Sequence, residues 1–199
     1  MPQEKPLFKT LSDYIKNGIS PTSKETEIWE AYGEKIAVLV IDSSGFSKNT
    51  LEHGIIHALT NMAELIDIAD SILKQNGAIS QRILGDNIFA EFSSVDEAVK
   101  ASVELKLAIN KHNFILKSAV TFGANFGIGY GNLLFSERFQ GYYGEEMNLA
   151  SKLGEDIAAD GEILITKQAF QSIKDKEGYT FEDKKQKMSG IEIDYFKIL

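Results

Sequence analysis

Apolar residues follow two rhythms along this chain, and the places where the rhythm changes mark its elements. Residues 36–41 (Ile-Ala-Val-Leu-Val-Ile) form an unbroken run of aliphatic and β-branched side chains, the pattern of a strand buried on both faces. Residues 78–84 and 88–92 carry strand patterns on either side of Gly85 and Asp86, which predicts a hairpin turning on that pair. Between strand and hairpin, Leu51, Ile55, Leu59, Met62, Ile66 and Leu73 recur near one helical face, predicting one long helix opened by Lys48, Asn49 and Thr50. A second helix is predicted over residues 95–109, with Ala98, Ala101, Leu105 and Ala108 on its inner stripe. The glycine-dense residues 123–131 combine strand formers with close-packing glycines but offer no strand-to-helix transition, which argues against a dinucleotide-binding fingerprint.

Upstream, residues 7–15 and 25–32 read as two short amphipathic helices around the breaker Ser20-Pro21. They predict an N-terminal helical extension over residues 1–34, a dimerisation or regulatory arm. Residues 35–199 then carry strand, helix, hairpin, helix and a closing alternation of strands and helices. That order predicts an α+β fold with a ferredoxin-like βαββαβ core.

Composition narrows the function classes. With 199 residues and 43% hydrophobic content the chain buries one substantial core, and a second full domain is not expected. A net charge of −8 and the lack of a basic stripe argue against a general nucleic-acid partner, whose phosphates call for lysine and arginine. An anionic nucleotide is still compatible if metal ions neutralise it locally. The absence of cysteine removes disulfides, a thiolate nucleophile and cysteine-based zinc sites. A polar N-terminus and the lack of any apolar stretch near ~18 residues predict a soluble, cytoplasmic protein with no membrane partner.

Candidate chemistry begins with Asp42, which closes the first apolar run, and Asp86, in the hairpin turn. An aspartate after a strand is by itself commonly a turn former or helix cap. Two that converge at the exposed end of one sheet suit a pair of divalent ions. The following Ser43-Ser44-Gly45-Phe46-Ser47 is a glycine turn feeding a helix, whose free backbone N–H groups form a cradle for a triphosphate tail. His53 and His57 are four apart, but Gly54 replaces the glutamate of a helix-borne zinc motif, so they read as surface or interface histidines. Lys184, Lys185 and Lys187 read as a solvated hairpin, and Trp29, Tyr142 and Tyr143 as packing residues, with Tyr142 beside Gly141.

These segments resemble the class III nucleotidyl cyclases. Asp42-Ser43-Ser44-Gly45-Phe46-Ser47 is similar to their D-I-x-G-F-T segment and Arg82-Ile83-Leu84-Gly85-Asp86 to their K-x-x-G-D hairpin. Gly144-Glu145-Glu146-Met147-Asn148-Leu149-Ala150-Ser151-Lys152-Leu153 is similar to G-x-x-V-N-x-A-x-R-L, and Gly161-Glu162-Ile163-Leu164-Ile165 to G-E-I-x-I. The tail from Lys187 to Phe196 resembles the family's lysine followed by a tyrosine-containing strand. The resemblance implies cyclisation assisted by two ions, Mn²⁺ or Mg²⁺, held by Asp42, Asp86 and the Ser43 carbonyl. It implies that the amides of Gly45, Phe46 and Ser47 bind the β- and γ-phosphates. Asn148 would position the ribose, Lys152 occupies the place of an arginine on the reacting phosphate, and Lys187 matches a triphosphate-contacting lysine. These last three come from the opposite subunit in the family, which implies a head-to-tail homodimer with composite sites.

Two departures bear on the substrate. Adenylyl cyclases carry lysine where this chain has Arg82 and aspartate where it has Gly141, while guanylyl cyclases usually carry glutamate and cysteine. Without the aspartate the adenine amino group loses its acceptor. The longer, planar donor fork of Arg82 suits carbonyl and ring-nitrogen acceptors and shortens the base pocket. Uracil and cytosine fit that description. The pattern resembles the pyrimidine cyclases of bacterial Pycsar anti-phage systems, in which cyclic UMP or cyclic CMP is read by a separate effector protein. Two alternatives stand beside it. One is an adenylate cyclase making cyclic AMP, since some bacterial adenylyl cyclases also replace that aspartate. The other is a degenerate cyclase that binds nucleotide or a partner without turnover, because the Lys152 ammonium does not reproduce a bidentate arginine contact.

Overall fold

The computed structural model describes residues 6–117, 121–159, 161–188 and 190–199, so residues 1–5 of the N-terminal extension lie outside the described residues. Its strands are β1 (Gly33–Ser44), β2 (Ser80–Leu84), β3 (Asn87–Phe92), β4 (Gly123–Ser136), β5 (Gly141–Tyr143), β6 (Ile163–Thr166), β7 (Phe181–Met188) and β8 (Ile191–Ile198). The helices are α1 (Leu7–Lys16), α2 (Glu25–Tyr32), α3 (Phe46–His53), α4 (Ile55–Gln75), α5 (Val95–Lys111), α6 (Glu145–Ser151) and α7 (Lys167–Ser172).

The unbroken apolar run makes β1 a central strand, antiparallel to β3 on one side and β4 on the other. Its alternate side chains serve two cores. Ala37, Leu39 and Ile41 pack with Met62, Leu65 and Leu73 of α4 and with Ala98, Ala101 and Leu105 of α5. Ile36, Val38 and Val40 face the other way, toward Leu133, Tyr142, Met147 and Ala150. The sheet order is β2-β3-β1-β4-β6-β8-β7, with β5 paired to the end of β4. Its first four strands give the expected ferredoxin-like order, and β6, parallel to β4, extends the sheet to the β7–β8 hairpin. Ser94 and Glu97 form a reciprocal capping box that starts α5.

The long first helix is corrected. It begins at Phe46 and is cut at Gly54, whose φ of +88° turns the chain between α3 and α4. A helical phase cannot be carried through that glycine. Leu51, Ile55 and Leu59 are consequently exposed, Leu51 at 87%, and Ala58, Leu65 and Ala69 take the buried positions beside Met62 and Leu73. Among the described residues no helix is long and apolar enough to cross a membrane.

The glycines of β4 perform a different task. A Cβ at Gly127 would lie 2.0 Å from the Ala150 carbonyl oxygen and 2.6 Å from the Gly154 nitrogen, and one at Gly129 would lie 2.4 Å from the Glu146 carbonyl oxygen. The backbone of α6, with the π-helical turn Lys152–Ile157 that continues it, therefore rests on the strand itself. Gly127→Ala is expected to force the helix off the sheet and to lower stability by about 1–3 kcal/mol, read by urea unfolding.

Candidate active site

Strand register assembles the site. Asp42 on β1 lies opposite Asn87 on β3 and Asn125 on β4. Cross-strand partners project to the same face, so the three make a polar row on the side of Val38 and Val40, under α6. Asp86 sits in the β2–β3 turn after Gly85, whose φ is +66°. Its carbonyl accepts a hydrogen bond from the Ser43 N–H at 3.3 Å, which ties that turn to the end of β1. Gly45, with φ +85°, then turns the chain so that Phe46 and Ser47 begin α3, where backbone N–H groups have no partner within the helix.

The electrostatics are those of crowded carboxylates. The Asp42 carboxyl is pushed up to about 6, first by burial and then by the negative charges of Asp86, Glu155 and Asp156, while a hydrogen bond from Asn125 opposes the shift. Asn125 is oriented by its own Oδ1, which accepts the Gly161 N–H at 3.0 Å and so leaves the amide nitrogen for Asp42. Burial, Asp156 and Asp86 also raise Glu155, against a Ser151 hydrogen bond and the Lys152 charge. Like charges held together in partial burial are relieved by a hard divalent cation with oxygen ligands. In the same row the Asn87 Oδ1 is buried without a partner among the described residues and offers a further neutral oxygen. This donor set fits Mg²⁺ or Mn²⁺. Among the described residues no three carboxylates or histidines are gathered as a ready-made cage, so Asp42 and Asp86 stand as a pair.

The other predicted pair also meets. Arg82 on β2 lies opposite Phe89, and its guanidinium carbon sits 4.6 Å from the centre of that ring. Its Nη1 donates to Glu91 Oε1 at 3.0 Å and to the Gln140 carbonyl at 3.1 Å. Gly141 is pressed against the same group, since a Cβ there would lie 2.8 Å from Nη1. Glu91 is only 1% exposed, and its second oxygen accepts the Ser80 hydroxyl at 2.6 Å. The turn that presents Gln140 is gripped from outside by α1, where Phe8 packs edge-on to Phe139 at 5.2 Å and to Tyr143 at 5.7 Å. Tyr142 is buried and donates its hydroxyl to Glu34 at 2.7 Å.

Asn148 of α6 is exposed and Lys152, at the start of the π-helical turn, is half-buried, while Glu146, Met147, Ala150 and Leu153 take the side against the sheet. Lys187 is exposed on β7 opposite Glu192. The order β1-β4-β6-β8-β7 puts it four strand spacings from Asp42, about 19 Å at ~4.8 Å each. A single chain therefore does not bring Lys187 to the aspartates. Asn87, Asn125 and Glu155 were missed in the sequence; the register of β1 would have supplied the first two, and no local signal marks the third.

A family model described as the adenylate and guanylate cyclase catalytic domain matches residues 30–196. An adenylate/guanylate cyclase/hydrolase from Silicibacter pomeroyi is similar in structure, with a TM-score of 0.71 and 22% identity over 84% of this chain and 97% of that one. The adenylyl cyclase CyaB from P. aeruginosa gives a TM-score of 0.68 at 20% identity, covering 84% and 94%. The guanylate cyclase domain of RhGC from Catenaria anguillulae, solved with GTP, gives 0.69 at 16% identity, covering 83% and 96%. No curated protein matches the chain.

The raised Asp42 carboxyl has a definite pH signature. A group with its folded pKa near 6 and its ordinary value at 3.8 stabilises the fold while protonated, and that contribution is lost as pH rises from about 4 through 6. Without divalent ions, Asp42→Asn is expected to stabilise the protein at pH 7.5 by about 1–2 kcal/mol, after allowance for partial exposure, and to change little at pH 4. Added Mn²⁺ should raise the melting temperature of the wild type and not of the variant. Thermal unfolding at the two pH values checks both parts, and equal stability of the two proteins at pH 7.5 would contradict the first.

Proposed function

Because the chain belongs to the family of adenylate and guanylate cyclase catalytic domains, matched over residues 30–196, we propose that it is a nucleotidyl cyclase acting on a pyrimidine nucleoside triphosphate. It converts UTP or CTP to the 3′,5′-cyclic monophosphate and pyrophosphate, and the product is the second messenger of a cytoplasmic anti-phage response read by a separate effector. The observation that carries the chemistry is the convergence of Asp42 and Asp86 beside the Gly45 turn.

Asp42, Asp86 and the Ser43 carbonyl would hold two divalent ions, Mn²⁺ or Mg²⁺, which supply charge neutralisation at the phosphates and a lower pKa for the ribose 3′-hydroxyl. Asn125 keeps the Asp42 carboxylate turned toward the site. The N–H groups of Gly45, Phe46 and Ser47 receive the β- and γ-phosphates. Asn148 orients the ribose, Lys152 places its charge on the α-phosphate, and Lys187 contacts the triphosphate. The 3′-oxygen forms a bond to the α-phosphorus, the bond from that phosphorus to the bridging oxygen breaks, pyrophosphate leaves with the electron pair, and the hydroxyl proton passes to solvent. The distance of Lys187 from Asp42 and the outward placement of Asn148 support a head-to-tail homodimer in which each site takes residues from both copies.

The pyrimidine preference rests on Arg82 and Gly141. The guanidinium occupies the space beside the Gly141 α-carbon, so the acidic acceptor suited to an adenine amino group is replaced by a donor suited to O2 or O4 of a pyrimidine. Lys152 favours one second reading, a cyclase fold that binds nucleotide without turnover, since its ammonium lacks the arginine fork.

Purified protein with Mn²⁺ and equal UTP, CTP, ATP and GTP, with products identified by mass, tests these readings. A cyclic pyrimidine is expected to dominate and to be lost in Asp42→Ala. The double change Arg82→Lys with Gly141→Asp is expected to move preference toward ATP by about tenfold, the worth of one matched hydrogen bond. Cyclic AMP from the wild type would overturn the base assignment and keep the chemistry, whereas nucleotide binding without product would favour the non-catalytic reading.

A further inference from the structure

A cavity of about 710 Å³ lies between α4, the C-terminal end of α5 and the start of β4. It opens at the end of the sheet beside Ala124 and Phe122 of the core side, and its wall also takes in Ser44 and Gly123, which by register lie on the face that carries Asp42. Its volume falls within the ~300–1,000 Å³ usual for small-molecule sites. Three lysines line it, Lys48, Lys106 and Lys117, and none of the described lining residues is acidic. In a chain with 29 aspartates and glutamates and a net charge of −8, that wall runs against the average surface. Eight other lysines make ion pairs with carboxylates; among the described residues none of these three does, Lys117 donating instead to Asn113 Oδ1 while Glu64 and Glu162 lie within electrostatic reach of Lys117 and Lys106. The only histidine in the wall, His112, is already engaged by Glu64 at 2.6 Å. The remaining wall includes the apolar Ile109, Phe114 and Phe122, and Asn61 from α4, which is 1% exposed with a buried Oδ1 that has no partner among the described residues.

We propose that this cavity binds a phosphorylated small molecule of nucleotide size. The ammonium groups receive the phosphate, the apolar wall receives a ring or carbon body, and the Asn61 oxygen is placed to accept from a hydroxyl or amino donor. Ser44 and Gly45 of the turn that opens α3, and Lys48 in its first turn, belong to this wall, so an occupant touches the turn proposed to bind phosphate. The site shares the Gly45 turn with the proposed substrate site, while its three lysines and Asn61 lie outside the residues assigned to that site.

The test uses the full chain without divalent ions, titrated with uridine 5′-monophosphate and separately with inorganic phosphate, and followed by NMR. The expected result is saturable shifts at Ile109, Asn110, Phe122 and the Asn61 side-chain amide, strongest with the monophosphate. Lys106→Glu should weaken binding about tenfold, since it reverses a charge close to the anion, and Asp42→Ala should leave it unchanged. Lys117→Gln gives a second reading of the same loss should Lys106→Glu fail to fold. The proposal is overturned if neither probe shifts those residues saturably. It is equally overturned if shifts are confined to Gly45, Phe46 and Ser47 and persist in both lysine variants, which would locate the anion at the proposed substrate turn.

Discussion

Where α6 crosses β4 no side chain separates them, and the carbonyls of Glu146 and Ala150 lie against the glycine α-carbons of the strand. The contact continues through Gly154, where a Cβ would lie 3.2 Å from the Val40 carbonyl oxygen, so the π-helical turn is drawn down onto the end of β1. That brings Glu155 within electrostatic reach of Asp42 and Asp86. It also leaves the opposite side of the helix, with Asn148, facing outward. The close approach buries Glu146, which is satisfied by the Tyr130 N–H at 3.0 Å and the Thr166 hydroxyl at 2.5 Å. Thr166 in turn caps α7 by accepting the Ala169 N–H at 3.1 Å, so one contact fixes helix, strand and neighbouring cap together.

What local pattern can encode was readable in advance. The run at residues 36–41 needed no tertiary knowledge to be seen as a buried strand, and β2 and β3 follow from Gly85 and Asp86. The convergence of Asp42 and Asp86 was legible for the same reason, since a hairpin beside a central strand leaves few places for its turn. The break at Gly54 was not, because apolar residues on both sides imitate one continuous helical face. Asn125 and Glu155 were hidden more deeply. One is set beside Asp42 by pairing across 83 residues of chain and the other by helix-on-sheet packing, and neither has a sequence neighbour that hints at its role. Arg82 and Gly141 stood out through the cyclase resemblance, but Glu91, Phe89 and the Gln140 carbonyl, which hold the guanidinium, become visible only with the hairpin register.

The site and the molecule around it share one sign of charge. Asp42, Asp86, Glu155 and Asp156 act on one another at one end of the sheet, in a chain that is already strongly anionic. Under the proposed function a bare triphosphate approaching that end would meet four carboxylates before the single charge of Lys152, so long-range attraction would not gather substrate there. In the proposed reaction cations would precede or accompany it, and binding would be tied to their supply more tightly than in a site rich in arginine.

The contact between Arg82 and Gly141 constrains how this chain can change over time. A guanidinium at the end of a flexible side chain would ordinarily yield to a new Cβ, but this one is stacked on Phe89 and bonded to a buried carboxylate and to a backbone carbonyl. A side chain gained at position 141 while Arg82 remains must break one of those attachments, and shortening Arg82 first strands Glu91 in a nearly dry environment. Either single step passes through a poorer protein than both steps together. The two positions are thus epistatic, and a lineage carrying this pair sits in a valley-bounded region of sequence space that is left by paired substitution.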